Sequence, residues 1–280
     1  MKSRSLFLSI FAALLLALSL QPAGAAEEDG WELSFGGGAL GGSVYPGSSD
    51  LYVTPFPAVG VSYTQGSLSL GASLLEGLYA SYFNEVSGII GNALVSGGDS
   101  RDSDEYSAFF FKREHSSGTK DLLTGTGSVS TPVFGSLSLG SLTPIGIVMG
   151  TVAYHPTTVE GEGTESEFYN GFQFSAQYVI GAPLSERLTL MGVLSVGFMN
   201  SAYADAWYDL AEGTTQLESF DADGGIRDTG LVLELSYAVS DDLSVTALSA
   251  NTLLLGDAAK SPFTDQRFQP TLMVYTLYSF

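Results

Sequence analysis

Leu231-Val232-Leu233-Glu234-Leu235-Ser236-Tyr237-Ala238-Val239 is the stretch on which the fold turns. Leu231, Leu233, Leu235, Tyr237 and Val239 occupy alternate positions, so an extended chain points them to one face and Glu234 to the other. The pattern recurs upstream. Leu51, Val53, Pro55, Pro57, Val59, Val61 and Tyr63 alternate with Thr54, Gly60 and Ser62. Val129, Thr131, Val133, Leu137 and Leu139 repeat it, as do Phe168, Phe172, Phe174, Ala176, Tyr178 and Ile180, and then Leu188, Leu190, Leu194, Val196 and Phe198. One apolar face at period two predicts strands, and a second face of Ser, Gly, Gln and Glu predicts a wet lumen rather than a sandwich core. Pro55 and Pro57 lack amide donors and predict imperfect pairing or a bulge in their strand.

The connections come in two sizes. Gln65-Gly66, Pro183 to Glu186 and Ser240-Asp241-Asp242 are tight turns built from residues that tolerate turn geometry. Gly97 to Thr119, Thr157 to Glu167, Asp205 to Arg227 and Asp257 to Asp265 are long, polar and mostly acidic. Short turns on one side and long loops on the other are the asymmetry of an outer-membrane barrel. Eleven strands can be counted, near 31–45, 50–64, 67–76, 82–96, 122–138, 142–156, 167–182, 187–201, 228–240, 242–256 and 267–280. Single-chain bacterial barrels have an even number. One strand is therefore hidden, around Glu105 to Lys112 or Trp207 to Phe220. The predicted fold is all-β: a transmembrane, antiparallel, up-and-down β-barrel of about twelve strands, with ten as the alternative.

Composition agrees with that reading. The 280 residues include 34 Gly, 14 Tyr and 17 Phe but only 14% charged residues and no cysteine. An exported domain without disulfides needs another source of stability, and a closed barrel, in which every strand has two bonded neighbours, supplies it. Ten Lys and Arg against 30 Asp and Glu give a net charge of −20, which argues against nucleic acid and against docking on anionic lipid through a basic patch. At the N-terminus Lys2 and Arg4, an apolar run from Leu6 to Leu20 and the triplet Ala23-Gly24-Ala25 have the build of a secretory signal, with cleavage expected after Ala25. Residues 26–280 then form the barrel domain. The chain ends in Phe280, with Tyr278, Val274 and Leu272 on the same face, which reads as the signal recognised during outer-membrane assembly.

Three stretches resemble the MipA/OmpV family of outer-membrane proteins. Tyr45-Pro46-Gly47-Ser48-Ser49-Asp50, followed by Pro55-Phe56-Pro57-Ala58, is similar to the family's first hairpin. Gly224-Gly225-Ile226-Arg227-Asp228-Thr229-Gly230-Leu231 is similar to the segment entering its last strands, and Leu255-Gly256-Asp257-Ala258-Ala259-Lys260-Ser261-Pro262-Phe263 to its final loop. The resemblance implies a non-enzymatic barrel in the cell outer membrane. The family's type member is named as an MltA-interacting protein, a scaffold joining a murein-degrading transglycosylase to a murein synthase.

The residues that could carry chemistry are few. His115 and His155 are the only histidines. His115-Ser116-Ser117 has a His-x-Ser spacing, but it stands in a charged loop without an acidic third member in step, and a serine hydrolase needs its base within hydrogen-bond reach of the nucleophile. His155 precedes Pro156 and reads as a rim residue. Three acidic runs could attract cations: Asp99, Asp102, Asp104 and Glu105; Glu160, Glu162, Glu165 and Glu167; Asp221, Asp223 and Asp228. None has the ordered loop that gathers oxygens around calcium, so they read as solvated loops. Arg187, Arg227 and Arg267 could line a lumen. No catalytic, cofactor or metal site is assigned. The leading expectation is an envelope interaction protein whose partners are outer-membrane lipid and a murein-remodelling enzyme or other envelope protein. A narrow, cation-preferring porin-like channel is the alternative.

Overall fold

A computed structural model of the protein describes residues 29–102, 105–108, 111–124, 126–161, 166–210 and 217–280; Ala25 lies outside the described residues. In chain order the elements are β1 (Gly30–Ser43), β2 (Leu51–Gln65), β3 (Leu68–Ser73), β4 (Gly77–Asn84), β5 (Ile89–Gly97), β6 (Ser100–Arg101), β7 (Glu105–Ala108), β8 (Phe111–Glu114) and α1 (Ser117–Leu123). There follow β9 (Ser128–Ser130), β10 (Val133–Thr143), β11 (Gly146–Glu160), β12 (Glu167–Ser185), β13 (Leu188–Met199), α2 (Ser201–Tyr208), β14 (Gly225–Ala238), β15 (Leu243–Leu254) and β16 (Phe268–Ser279).

Twelve of these strands, β1–β5 and β10–β16, pair antiparallel with their neighbours around a ring. It closes twice over: β16 pairs with β1 from Gly42↔Thr271 to Ser34↔Ser279, and β5 pairs with β10 across the long loop between them. Closure leaves no terminal edge strand in the ring, which lets strands cross a bilayer that offers backbone groups no water. The turns after β2, β4, β10, β12 and β14 are short and lie at one end, which the length rule assigns to the periplasm; the long connections lie at the other.

The wall shows the predicted alternation. In β2, Leu51, Val53, Pro55, Pro57 and Val59 face outward and exposed, while Tyr52, Thr54, Phe56 and Ala58 face inward and buried. Leu137, Leu139, Ile180, Leu194, Leu233, Leu272 and Val274 continue the outer apolar belt. Aromatic rings border it at both ends: Trp31, Tyr82, Tyr237 and Tyr278 on the periplasmic side, and Tyr154, Phe168, Phe198 and Phe268 on the other. An apolar band between aromatic girdles is the surface a lipid bilayer covers.

Several expectations are corrected. The hidden strand is β4; the run near 82–96 contains a turn at 85–88, where the Asn84 side chain accepts from the Ser87 amide at 2.9 Å. Val86 stands fully exposed at its tip, so an apolar residue disguised the turn. Glu105 to Lys112 instead contributes to a separate two-stranded sheet, β7–β8, and Trp207 lies in α2, while 211–216 of the other candidate run are outside the described residues. Leu139 to Ser141, left between the strands counted near 122–138 and 142–156, is paired wall (Gly140↔Met149), and the chain reverses between Thr143 and Gly146. Pro55 and Pro57 cause no bulge on the β1 side, where Ala39↔Pro55 and Gly37↔Pro57 sit in unbroken register; the imperfect pairing expected of their strand is present on the β3 side, where β2 is paired only from Gly60 onward.

The inner face departs from a uniformly wet lumen. Leu40, Phe56, Leu94, Phe134, Met149, Val193, Val232, Leu248 and Met273 meet in one buried cluster across the bore. Polar inward groups such as Ser138 and Thr151, bonded to each other at 2.8 Å, are interspersed with this apolar filling.

Candidate functional site: the capped mouth

The long loops fold inward over the barrel mouth. Asn200 begins the cap. Its side chain accepts from the Tyr203 amide at 3.0 Å, the N-cap arrangement, and from the Phe172 amide at 2.8 Å, so the start of α2 is fastened to β12. From there α2 carries Tyr203, Ala204, Ala206, Trp207 and Tyr208 into the interior, against Val129, Met199, Ala222 and Ala258. Gly171 allows this close approach, since a Cβ there would lie 3.1 Å from the Tyr203 ring.

Beneath the helix sits His155, stacked on Phe134 with ring centroids 5.3 Å apart and meeting Tyr203 edge-on at 5.3 Å. It is a buried packing residue rather than an exposed rim residue. His115 is also buried. Its Nε2 lies 3.0 Å from the Asp102 carbonyl, and its ring packs near Tyr45 and Tyr106. The neighbouring Ser116 hydroxyl accepts from the Thr119 amide at 3.3 Å and caps α1, while Ser117 is exposed.

Arg227 and Asp228 form a charged pair in the interior. Between Gly197 and Phe198 the register of β13 on β14 shifts, and this bulge turns two consecutive residues of β14 inward. Arg227 Nε donates to Asp228 Oδ2, and both side chains are 7% exposed. Gly197 is required opposite them, because a Cβ would come within 2.6 Å of Asp228 Oδ1. Asp228 therefore does not gather with Asp221 and Asp223, which stay exposed.

A second buried guanidinium comes from β6. Arg101 Nη1 donates to the Trp207 carbonyl at 2.5 Å, and its charge stands 3.9 Å from the centre of the Phe263 ring. Burial pulls Arg101 down to about 10, against the opposing fields of Tyr45 and Tyr208. Burial pushes both those phenols up to about 12. Asp99, Tyr208, Arg227, Asp228, Gln269 and Thr271 line a cavity of about 40 Å³ below the cap. That volume suits water and is far below the roughly 300 Å³ at which small-molecule pockets begin.

Other contacts lock the loops together. Tyr45 donates to the Phe263 carbonyl at 3.4 Å, Ser49 to Asp265, and Ser261 to the Tyr208 carbonyl at 2.8 Å. Asp50 accepts from the Ser116 amide at 3.1 Å and the Thr119 hydroxyl at 2.8 Å. Burial would raise the Asp50 carboxyl, but those hydrogen bonds prevail and hold it below the usual carboxylate range. Asp205 and Asp209, at the outer side of the cap, are raised by burial and by neighbouring carboxylates. Of the three arginines considered for the lumen, Arg227 alone points into it: Arg187 is exposed at a periplasmic turn and Arg267 is exposed beside the last loop.

The three stretches that carried the resemblance thus meet in one place, the first through Tyr45 and Pro46, the second through Arg227 and Asp228, the third through Ser261 and Phe263. The sequence profile described as MltA-interacting protein MipA matches residues 35–280. The chain belongs to the MipA family. It is an outer-membrane β-barrel protein. No curated protein sequence matches it. In shape it is similar to an outer membrane channel from Pseudomonas putida F1, at 12% identity over 92% of this chain and 98% of that one, with a TM-score of 0.48. It is also similar to the translocator domain of the autotransporter NalP from Neisseria meningitidis, at 13% identity over 96% of each chain, TM-score 0.42. The Pseudomonas putida toluene transporter TodX follows at 11% identity over 99% of this chain and 94% of that one, TM-score 0.36. Nothing about activity follows from these three likenesses.

Arg101, Tyr203 and Tyr208 were not singled out in the sequence. No local pattern marks them, because their burial arises only when loops more than a hundred residues apart close over the same mouth.

Proposed function

We propose that this MipA-family barrel is a non-enzymatic interaction protein of the envelope, acting through its surfaces rather than its bore. The inward-facing apolar cluster under a latched cap supports that reading, because it favours contact at the barrel's ends over passage through its bore. The periplasmic end is the one a murein-remodelling enzyme can reach. Asp29, Glu32, Glu85, Glu186, Asp241 and Asp242 stand exposed around it, so the surface offered is an acidic rim, suited to a partner with a basic face.

Replacing Glu85, Glu186 and Asp241 by lysine tests this. Crosslinked pull-downs from intact envelopes should recover a murein transglycosylase or synthase with the unaltered protein, and several-fold less with the triple variant. Equal recovery, or no more than a same-size barrel recovers, would overturn the reading. Tyr278 and Phe280 lie ring to ring at 4.7 Å on the outer face at this end. That placement supports their proposed role as the assembly signal, and Phe280→Ala is expected to lower the amount of protein reaching the outer membrane. Sequencing the mature N-terminus tests the proposed cleavage after Ala25.

A further inference from the structure

The apolar belt is interrupted on β15. That strand crosses the bilayer between the pairs Leu243↔Tyr278, at the periplasmic girdle, and Leu253↔Phe268, at the outer one. Leu248 and Ala250 are buried toward the lumen, so the alternate residues Ala247, Ser249 and Asn251 face the lipid, each half-buried among its neighbours. Asn251 is level with Leu231 and Pro270, and Ser249 with Leu233 and Leu272. Asn251 thus lies two residues inside the outer girdle, about 7 Å along the strand, at the upper edge of the hydrocarbon.

The backbone here is fully paired, from Asp228↔Leu254 to Ala238↔Ser244 on one side and from Leu253↔Phe268 to Leu243↔Tyr278 on the other. The open groups are on side chains. Asn251 Nδ2 donates to the Ser249 hydroxyl at 3.0 Å, which uses one N–H of the carboxamide. Its second N–H and its oxygen have no partner among the described residues. With the amide turned over, Ser249 would donate to the oxygen, and an N–H and a lone pair would still be open. Other outward hydroxyls spend their bonds on the wall: Thr276 donates to the Gly37 carbonyl at 3.4 Å and Thr229 to the Ser195 carbonyl at 2.9 Å. Hydrocarbon supplies neither donor nor acceptor, so a carboxamide left open to it is costly.

We propose that Asn251 and Ser249 form a binding site for an outer-leaflet lipid whose acyl chain bears a hydroxyl or amide group near its head. That group bonds to the Asn251 carboxamide, and the chain runs down over Ser249 and Ala247. A hydroxyl or a secondary amide both donates and accepts, which answers the open oxygen and the open N–H together; an ester has no donor and answers only one. Leu231 and Leu233 flank the path on one side and Leu272 and Val274 on the other, all exposed to lipid. β14 and β16 stand two strand spacings apart, about 10 Å, and the side chains lining both flanks leave a width suited to one hydrocarbon chain. The site is continuous with the lipid-covered belt, and no charged residue stands on the outward positions of β14, β15 or β16 beside it. It therefore selects a lipid by its chain linkage and not by its phosphate.

Native mass spectrometry of the refolded barrel, offered either lipid A or cardiolipin in detergent, tests the proposal. Both lipids carry several chains and two phosphates, but only lipid A has amide-linked, hydroxylated chains. The unaltered protein should retain lipid A several-fold more than cardiolipin. Asn251→Leu, a change on the lipid-facing surface that leaves the barrel paired, should bring lipid A down to the cardiolipin level, and Asn251→Gln should restore part of the difference. Equal retention of the two lipids by the unaltered protein would overturn the proposal, as would lipid A retention unchanged in Asn251→Leu. A dimer of the unaltered protein that Asn251→Leu abolishes would also overturn it, and would assign the amide to a second copy of this chain.

Discussion

Arg227 and Asp228 show how a single inserted residue governs the interior. Without the bulge at Gly197, one of the two would face lipid; with it, both are inside and neutralise each other. Removing one partner of a buried pair leaves an uncompensated charge, at a cost of about 3–5 kcal/mol. Arg227→Met should therefore lower the urea midpoint of the refolded barrel sharply, whereas replacing both residues by apolar ones of similar volume should restore most of the loss. Asp50 gives a second, pH-dependent test. Its folded carboxyl is held below the unfolded value, so the latch it makes with Ser116 and Thr119 is fully present above the ordinary carboxylate range, near 3.9, and is lost as pH falls through the lower folded value. Limited proteolysis between residues 44 and 50 should accelerate on acidification. In Asp50→Ala it should be fast at every pH.

Among the elements, α2 depends most on one residue. Asn200 caps it and ties it to β12, so Asn200→Ala should cost about 1 kcal/mol and expose Trp207, read as a red shift and a gain in iodide quenching of its fluorescence. Hydrogen exchange should rise in α2 before any barrel strand. Legibility in the sequence follows the same division. Leu231 to Val239 and Phe168 to Ile180 were readable because a bilayer on one side imposes a strict period of two. The β3–β4–β5 region was not, since Val86 at a turn tip carries a strand's residue type, and the end of β10 was not, since Ser138 to Ser141 carries a turn's. The cap was illegible as structure because α2 is set by its packing partners and not by a wide apolar stripe. Even so, the motifs at Tyr45, Arg227 and Phe263 marked its components.

At the scale of the whole molecule, the polar inner face expected from Gln177 and Glu234 exists, yet it is interleaved with Phe56, Phe134, Met149, Leu248 and Met273, which fill a twelve-strand bore. Side chains alone fill a barrel of about eight strands, and the wider interior of twelve is occupied here by large apolar residues. Two obstacles therefore stand in series, the cap and the mid-lumen cluster, and that arrangement predicts how conductance should respond to their removal. The unaltered protein in a planar bilayer should show no steady conductance. Replacing residues 201–223 by a short Gly-Ser linker removes α2 and the segment after it and should leave conductance near zero, because the other loops of the cap and the cluster remain. Adding Phe56→Gly, Phe134→Gly and Met273→Gly should open a steady current, cation-preferring because Glu234 stands on the inner face. A large steady current from the unaltered protein would show that the filling yields readily, and would move the working surface from the periplasmic rim to the bore.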